Sequence, residues 1–390
     1  MKTRLVRYLK HVGFTIAFVL LILIPFGIYE GAQLTYGHNP SRLNFNGEGP
    51  YAFYENDSTV SVKYIHGTKD DGFYITAKKY AATDEIPASV FFPLDSSSFN
   101  FTIRQAMTSP KSIYKDDKKI LAISDIESGF NAFRNFLIQN QVVDNNLKWI
   151  FGENHLVLLG DFVDRGFSTT QVLWFIYKLE QDAEKHGGKV HFILGNHELK
   201  NMYGDHQASS LKYTFVASMI DKTQSQLYSR KSVLGNWLAS KNTIESINGN
   251  IFVHGGLHPD LAELEMSIPE INQYLRSTYY KAPYPKVDKD EKELLISSKK
   301  GISWYRGYFK EDLSQKEIER PLEKFNAKAV IVGHTPQFKV KKFYEGKVFA
   351  IDVKHAKDYH KNWPDYDSEG LMILGNNYYR VKESGEQVAL

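Results

Sequence analysis

Six short apolar runs, KILAISD, HLVLLGD, KVHFILGN, NIFVHGG, AVIVGHT and KVFAIDV, fall between Lys119 and Val353 and limit the possible folds more than any other feature. Each is rich in β-branched or aliphatic residues, too short for a core helix, and closed by Gly, Asp or Asn, which is the pattern of a buried strand. Between them, FNAFRNFLIQNQ and STTQVLWFIYKLEQDAEKHG carry apolar residues at helical spacing. The second has Ser168 as a candidate N-cap and Gly187 and Gly188 as its stop. Strands alternating with helices predict an α/β domain, in which chemistry collects at the carboxyl ends of the strands.

Five of these runs end in a residue type that binds metals: Asp125, Asp161, Asn196, His254 and His334. The chain has no cysteine, so any metal must be held by His, Asp, Glu or Asn. Two divalent ions about 3.5–4 Å apart can hold a hydroxide between them and neutralise an attacked phosphate. That arrangement needs a carboxylate bridging both ions with hard O and N ligands on either side, and Asp161 is the natural bridge.

The set SDIES, GDFVDRG, GNHE, VHGG and GHTP resembles the calcineurin-like metallophosphoesterases, in their phosphoprotein phosphatase branch, over about Lys119 to Val353. GNHELKNMYGD, LGNWLASK before FVHGGL, and WYRGY followed by VIVGHTPQ are most similar to the Shewanella-like protein phosphatases, some of which prefer phosphotyrosine. The resemblance implies a central β-sandwich flanked by helices. It also implies Asp125 and Asp161 at a first metal, and Asp161, Asn196, His254 and His334 at a second. His197 would be the general acid, with Asp164 fixing its tautomer and raising its pKa. Arg165 and Arg306 would clamp the phosphate oxygens with their guanidinium forks.

One position departs from the family pattern. The first motif usually reads Asp-x-His, whereas this chain has Asp125, Ile126 and Glu127. Taken as a ligand, Glu127 would lower the formal charge of a two-ion site from +2 to +1, make the bridging water less acidic and favour harder ions. Mn²⁺ is then the favoured ion, with Fe, Mg²⁺ and Zn²⁺ as alternatives; firmly bound zinc in both sites would count against this. His355 and His360, in VKHAKDYHKNW, read as members of a surface loop.

The other segments read differently. Val12 to Tyr29 is 18 residues without a charge, about 27 Å as a helix and close to the thickness of a bilayer core. Glu30 stands where a signal-peptide cleavage site wants a small residue, so the run is expected to remain as a transmembrane anchor. Lys2, Arg4, Arg7 and Lys10 precede it, which places residues 1–11 in the cytoplasm and the catalytic domain on the exported side, periplasmic or extracellular. Without those four cations the net charge of +3 becomes −1, so there is no broad basic field for a nucleic-acid partner. Residues 30–47 read as a linker, and residues 48–110 as a small all-β segment too thin to stand alone. Residues 115–385 are the expected catalytic domain.

The leading expectation is a membrane-anchored, metal-dependent phosphomonoesterase acting on a phosphoprotein or a phosphorylated small molecule. A nucleotide or diadenosine polyphosphate hydrolase shares the same motifs, and a degenerate membrane-tethered binding scaffold is the alternative from another class. The 203–246 segment is long enough to form a lid or a docking surface.

Overall fold

A computed structural model describes residues 2–29, 34–37, 44–83, 85–104, 107–282, 292–310, 312–365 and 367–390. Parts of the expected linker, 30–33 and 38–43, and part of the charged stretch near 287–300 lie outside the described residues.

Two six-stranded sheets face each other. The first runs, edge to edge, Lys189–Phe192, His155–Leu158, Ile120–Ile123, Glu369–Leu374, Asn377–Lys382 and Gln387–Ala389. The second runs Lys341–Phe343, Val348–Ala350, Ala329–Val332, Asn250–Val253, Ile244–Ile247 and Ile113–Tyr114. All six apolar runs of the sequence supply strands to these sheets, and the parallel pairings among them place their carboxyl ends together. Their unbroken apolar character follows from burial on both faces. Ile120, Ala122, Val157, Leu159, Phe252, Ile331 and Phe349 fill the space between the sheets. Leu121, Ile123, Leu156 and Leu158 instead face a second core that includes Phe133 and Phe136 from helix Phe130–Gln139 and Trp174 and Ile176 from helix Thr169–Lys185.

The N-terminal segment forms a three-stranded antiparallel sheet (Glu48–Asn56, Thr59–Thr68, Gly72–Ala81) and a hairpin of Ile86–Phe92 with Ser97–Ile103. It does not close into a sandwich of its own. Val60, Val62, Val90 and Phe92 belong to the same core as Trp174. The Trp174 indole N–H donates to the Pro50 carbonyl at 2.8 Å, and its ring lies 4.9 Å from that of Phe101. Packing on the larger body supplies what so short a segment lacks in buried area.

Helix Lys2–Tyr29 is long and apolar enough to cross a membrane, and none of its spanning window is buried against the rest of the chain. The expected linker is not wholly free, because Leu34–Tyr36 pairs antiparallel with Lys361–Trp363. The 203–246 segment is also more tightly held than a lid. It forms helices Leu211–Met219, Gln224–Leu227 and Val233–Ala239, and buries Tyr213, Val216, Tyr228 and Trp237.

Candidate active site

The strand ends converge because their last residues leave the sheet in left-handed conformations: Asp125 at φ 54°, Asp161 at 58° and His334 at 64°. Asp and His tolerate this region better than most residues, whereas an arginine there is a local strain of about 1–3 kcal/mol of the kind found at functional sites. Arg165, at φ 57°, shares it. Two motif glycines are fixed by close approach. A Cβ at Gly195 would strike Asp161 Oδ1, and one at Gly333 would lie 2.6 Å from Asp125 Oδ2.

Among the described residues, Asp161, His254 and His334 bring ligand atoms within 4.8 Å of one another. His254 Nδ1–H donates to the Leu159 carbonyl at 2.7 Å, leaving Nε2 3.2 Å from Asp161 Oδ2 and 3.1 Å from Asn196 Oδ1. His334 donates from Nε2 to the Trp304 carbonyl at 3.0 Å, which leaves its Nδ1 as an acceptor. Two imidazoles, a carboxylate and an amide oxygen gathered in this way are a donor set that fits a divalent cation. Asp125 stands beside this group, held by the Ser124 hydroxyl and by the His334 N–H at 3.1 Å.

The charges of the group act strongly on one another. Burial disfavours charge on His254, yet Asp161 and Asp125 outweigh it and raise that imidazole to about 10. Burial, together with Asp161, lifts Asp125 to about 7 against the pull of His254. In Asp161 the burial is overcome by His254, His197 and His334, which hold its carboxyl below the usual range.

His197 lies beside this group. Its Nδ1 is 2.8 Å from Asp164 Oδ2, and its backbone N–H donates to Asp161 Oδ1 at 2.9 Å. Burial lowers its basicity, but Asp164 and Asp161 outweigh that and raise its pKa. Asn201 Nδ2 donates to Asp164 Oδ1 at 2.8 Å and His206 Nδ1 lies 2.9 Å from Asn201 Oδ1, so the dyad is itself braced. Arg165 Nη2 is 3.3 Å from His197 Nε2, and Arg306 Nη2 is 3.4 Å from His334 Nδ1. Arg306 therefore faces the site; the cation over Trp304 is Lys200.

The structure does not bring Glu127 to this group. One of its carboxylate oxygens pairs with Arg165 and the other lies 3.0 Å from Lys357 Nζ. Two nearby cations hold the Glu127 carboxylate away from that group. His355 is likewise not on the surface: it is buried and donates from Nε2 to the Ser124 carbonyl at 2.8 Å.

Sequence reasoning passed over two residues. Glu198, the last letter of GNHE, is wholly buried and accepts the N–H groups of Phe162 at 2.7 Å and of Asp161 and Gly195 at 2.9 Å. It ties two ligand loops together from the N3 position of its helix, and the capping-box spacing could have revealed it. The other is Asp352, which closes the sixth apolar run, KVFAIDV, as Asp125, Asp161, Asn196, His254 and His334 close theirs. It is buried and lines the same cleft of about 790 Å³ as Asp125, Asp161, Arg165, His197 and Arg306. Lys200, Lys299 and Lys310 also line this cleft, the last two from exposed positions.

A family model described as calcineurin-like phosphoesterase matches residues 118–338. An uncharacterized protein of Schizosaccharomyces pombe is 30% identical over 255 residues, 60% of this chain and 72% of its own length. Shewanella-like protein phosphatase 1 of Plasmodium berghei is 28% identical over 263 residues, 64% of this chain and 70% of its own. Among solved structures, the cold-active protein-tyrosine phosphatase of a psychrophilic Shewanella species superposes with a TM-score of 0.76 at 28% identity, over 88% of this chain and 99% of that one. With its sandwich, its converging strand ends and these relatives, the chain belongs to the calcineurin-like phosphoesterase family, with Shewanella-like protein phosphatases among its homologues.

Proposed function

We propose that this chain is a phosphomonoesterase that works with two divalent ions and removes phosphate from proteins. The observation that carries the reading is one cleft that joins the donor group of Asp161, His254 and His334 to the His197–Asp164 pair and to two arginines. When bound, the ions would supply Lewis acidity, acidifying water and drawing charge from the phosphoryl group. Asp161, Asn196, His254 and His334 would hold one ion, and Asp125 with Asp161 the other. Mn²⁺ is the preferred ion, with Fe, Mg²⁺ and Zn²⁺ as alternatives, because carboxylates outnumber imidazoles at the first site.

The chain's own side chains do the rest. His197 Nε2 hands a proton to the leaving oxygen, while Asp164 holds the opposite N–H and favours the protonated ring. Arg165 and Arg306 grip non-bridging oxygens. The lysines lining the cleft suit an anionic polypeptide, and the names of the relatives support a phosphoprotein substrate. Residues 12–29 tether the enzyme, and the four cations before them favour a catalytic domain on the exported side.

The test is hydrolysis of p-nitrophenyl phosphate, bis-p-nitrophenyl phosphate and phosphotyrosine and phosphoserine peptides by the full chain in detergent, after EDTA and after each metal is restored. Metal-dependent cleavage of the monoester and a peptide supports the reading, and His197→Ala should lose about two orders of magnitude or more in rate. Comparable cleavage of the diester, or silence with every metal, refutes it. Protease added to intact cells should digest the catalytic domain; full protection would refute the exported orientation.

A further inference from the structure

The first ion of the proposed pair is short of ligands. With Glu127 engaged by Arg165 and Lys357, only Asp125 and Asp161 remain for it among the residues expected from the motifs. The sixth apolar run supplies another. Strand Val348–Ala350 lies parallel to Ala329–Val332 with Val332 opposite Ala350, and beyond it Val353 pairs with Gln337, so Asp352 runs alongside the loop that follows His334. The Gln337 N–H, donating to the Asp352 carbonyl at 2.8 Å, fixes the backbone there.

Asp352 is 5% exposed and lines the cleft with Asp125, Asp161 and Arg306, whose guanidinium feels its charge. Burial, and then the negative charges of Asp125 and Glu127, disfavour its ionised form. Buried carboxylates are as a rule paired or bound to metal. Three aspartates lining one cleft form an arrangement that a cation between them would relieve.

We infer that Asp352, rather than Glu127, is the additional carboxylate ligand of the first metal ion. This rests on the two-ion reading above. The chain thereby replaces the missing histidine of the first motif with a carboxylate from a neighbouring strand, and Glu127 serves to orient Arg165 and Lys357.

The test is metal binding, read without turnover. The full chain in detergent is stripped with EDTA, titrated with Mn²⁺ alone, and followed by elemental analysis and by electron paramagnetic resonance. Wild type should bind two ions and give the spin-coupled signal of a manganese pair. Asp352→Asn should keep one ion, lose the coupled signal and bind the second ion about tenfold or more weakly. The ion it retains also shows that the fold is intact. Glu127→Gln should keep both ions and the coupled signal. Two ions of unchanged affinity in Asp352→Asn, or loss of one ion in Glu127→Gln, overturns the assignment. Fewer than two ions in wild type overturns the two-ion reading itself, and the assignment with it.

Discussion

Replacing Glu48 by alanine would leave the ammonium of Lys212 buried without its counter-charge, and the consequence can be worked out from the structure. Glu48 is 3% exposed and Lys212 4%, with Nζ 2.9 Å from Oε2. Tyr51 and Thr170 also donate to Oε1, at 2.6 and 2.9 Å. Breaking a buried pair by removing one partner costs about 3–5 kcal/mol. At an unfolding entropy of about 2.1 cal/mol/K per residue, that lowers the midpoint of a cooperative unit of this size by about 4–7 °C. Activity should fall as well, because Lys212 Nζ and the Tyr213 hydroxyl both donate to the Phe167 carbonyl, at 2.8 and 2.9 Å, two residues after Arg165. The N-terminal β segment thus braces the loop that carries Asp164 and Arg165. Although burial opposes it, Lys212 and Tyr51 hold the Glu48 carboxyl below its ordinary range. Its stabilisation is therefore present above the unfolded carboxylate pKa and is lost as pH falls through the folded value. The difference between wild type and variant should shrink in acid. Calorimetry of Glu48→Ala, Lys212→Met and the double variant decides the matter, with the double variant losing less than the sum of the singles. A midpoint shift below about 1 °C in Glu48→Ala, or strict additivity, would refute the reasoning.

Four further outcomes follow from the site. Asp164→Asn removes the partner that helps raise the His197 pKa; since a general acid must be protonated, the alkaline limb of the rate profile should move to lower pH, and an unmoved limb would exclude His197 from that role. Metal binding near pH 7.5 should release protons, because His254 is raised to about 10 in the metal-free protein; titration in two buffers of different ionisation enthalpy measures this. Asp125 is raised to about 7, so the metal-free protein holds a proton that the unfolded chain has lost; its stability should decline as pH rises from about 4 to 7, and unfolding curves across that range check the sign. Gly195→Ala would press a methyl group onto Asp161 and should weaken Mn²⁺ binding about tenfold or more, as read by equilibrium dialysis.

The strands, the two long helices and most of the site were written locally. A strand buried on both faces must be continuously apolar, and a polar residue at its carboxyl end follows that run directly, so Asp125, Asp161, Asn196, His254 and His334 could each be read from a few neighbouring residues. The same holds for the length of the N-terminal helix, which depends only on an uncharged run. What local pattern cannot encode is the partner. Nothing in EGLMIL announces that it inserts beside Ile120–Ile123, or in LTY that it pairs with Lys361–Trp363. Side-chain direction is equally non-local. Glu127 occupies a ligand position in the motif but faces Arg165 and Lys357, while Asp352 becomes part of the cleft only because its strand lies next to the one ending in His334. Sequence spacing fixes which face a residue shares with its neighbours along the chain. Which charges stand opposite that face is settled only when distant strands pack, and there the energy of burying a carboxylate decides between a lysine, an arginine and a metal.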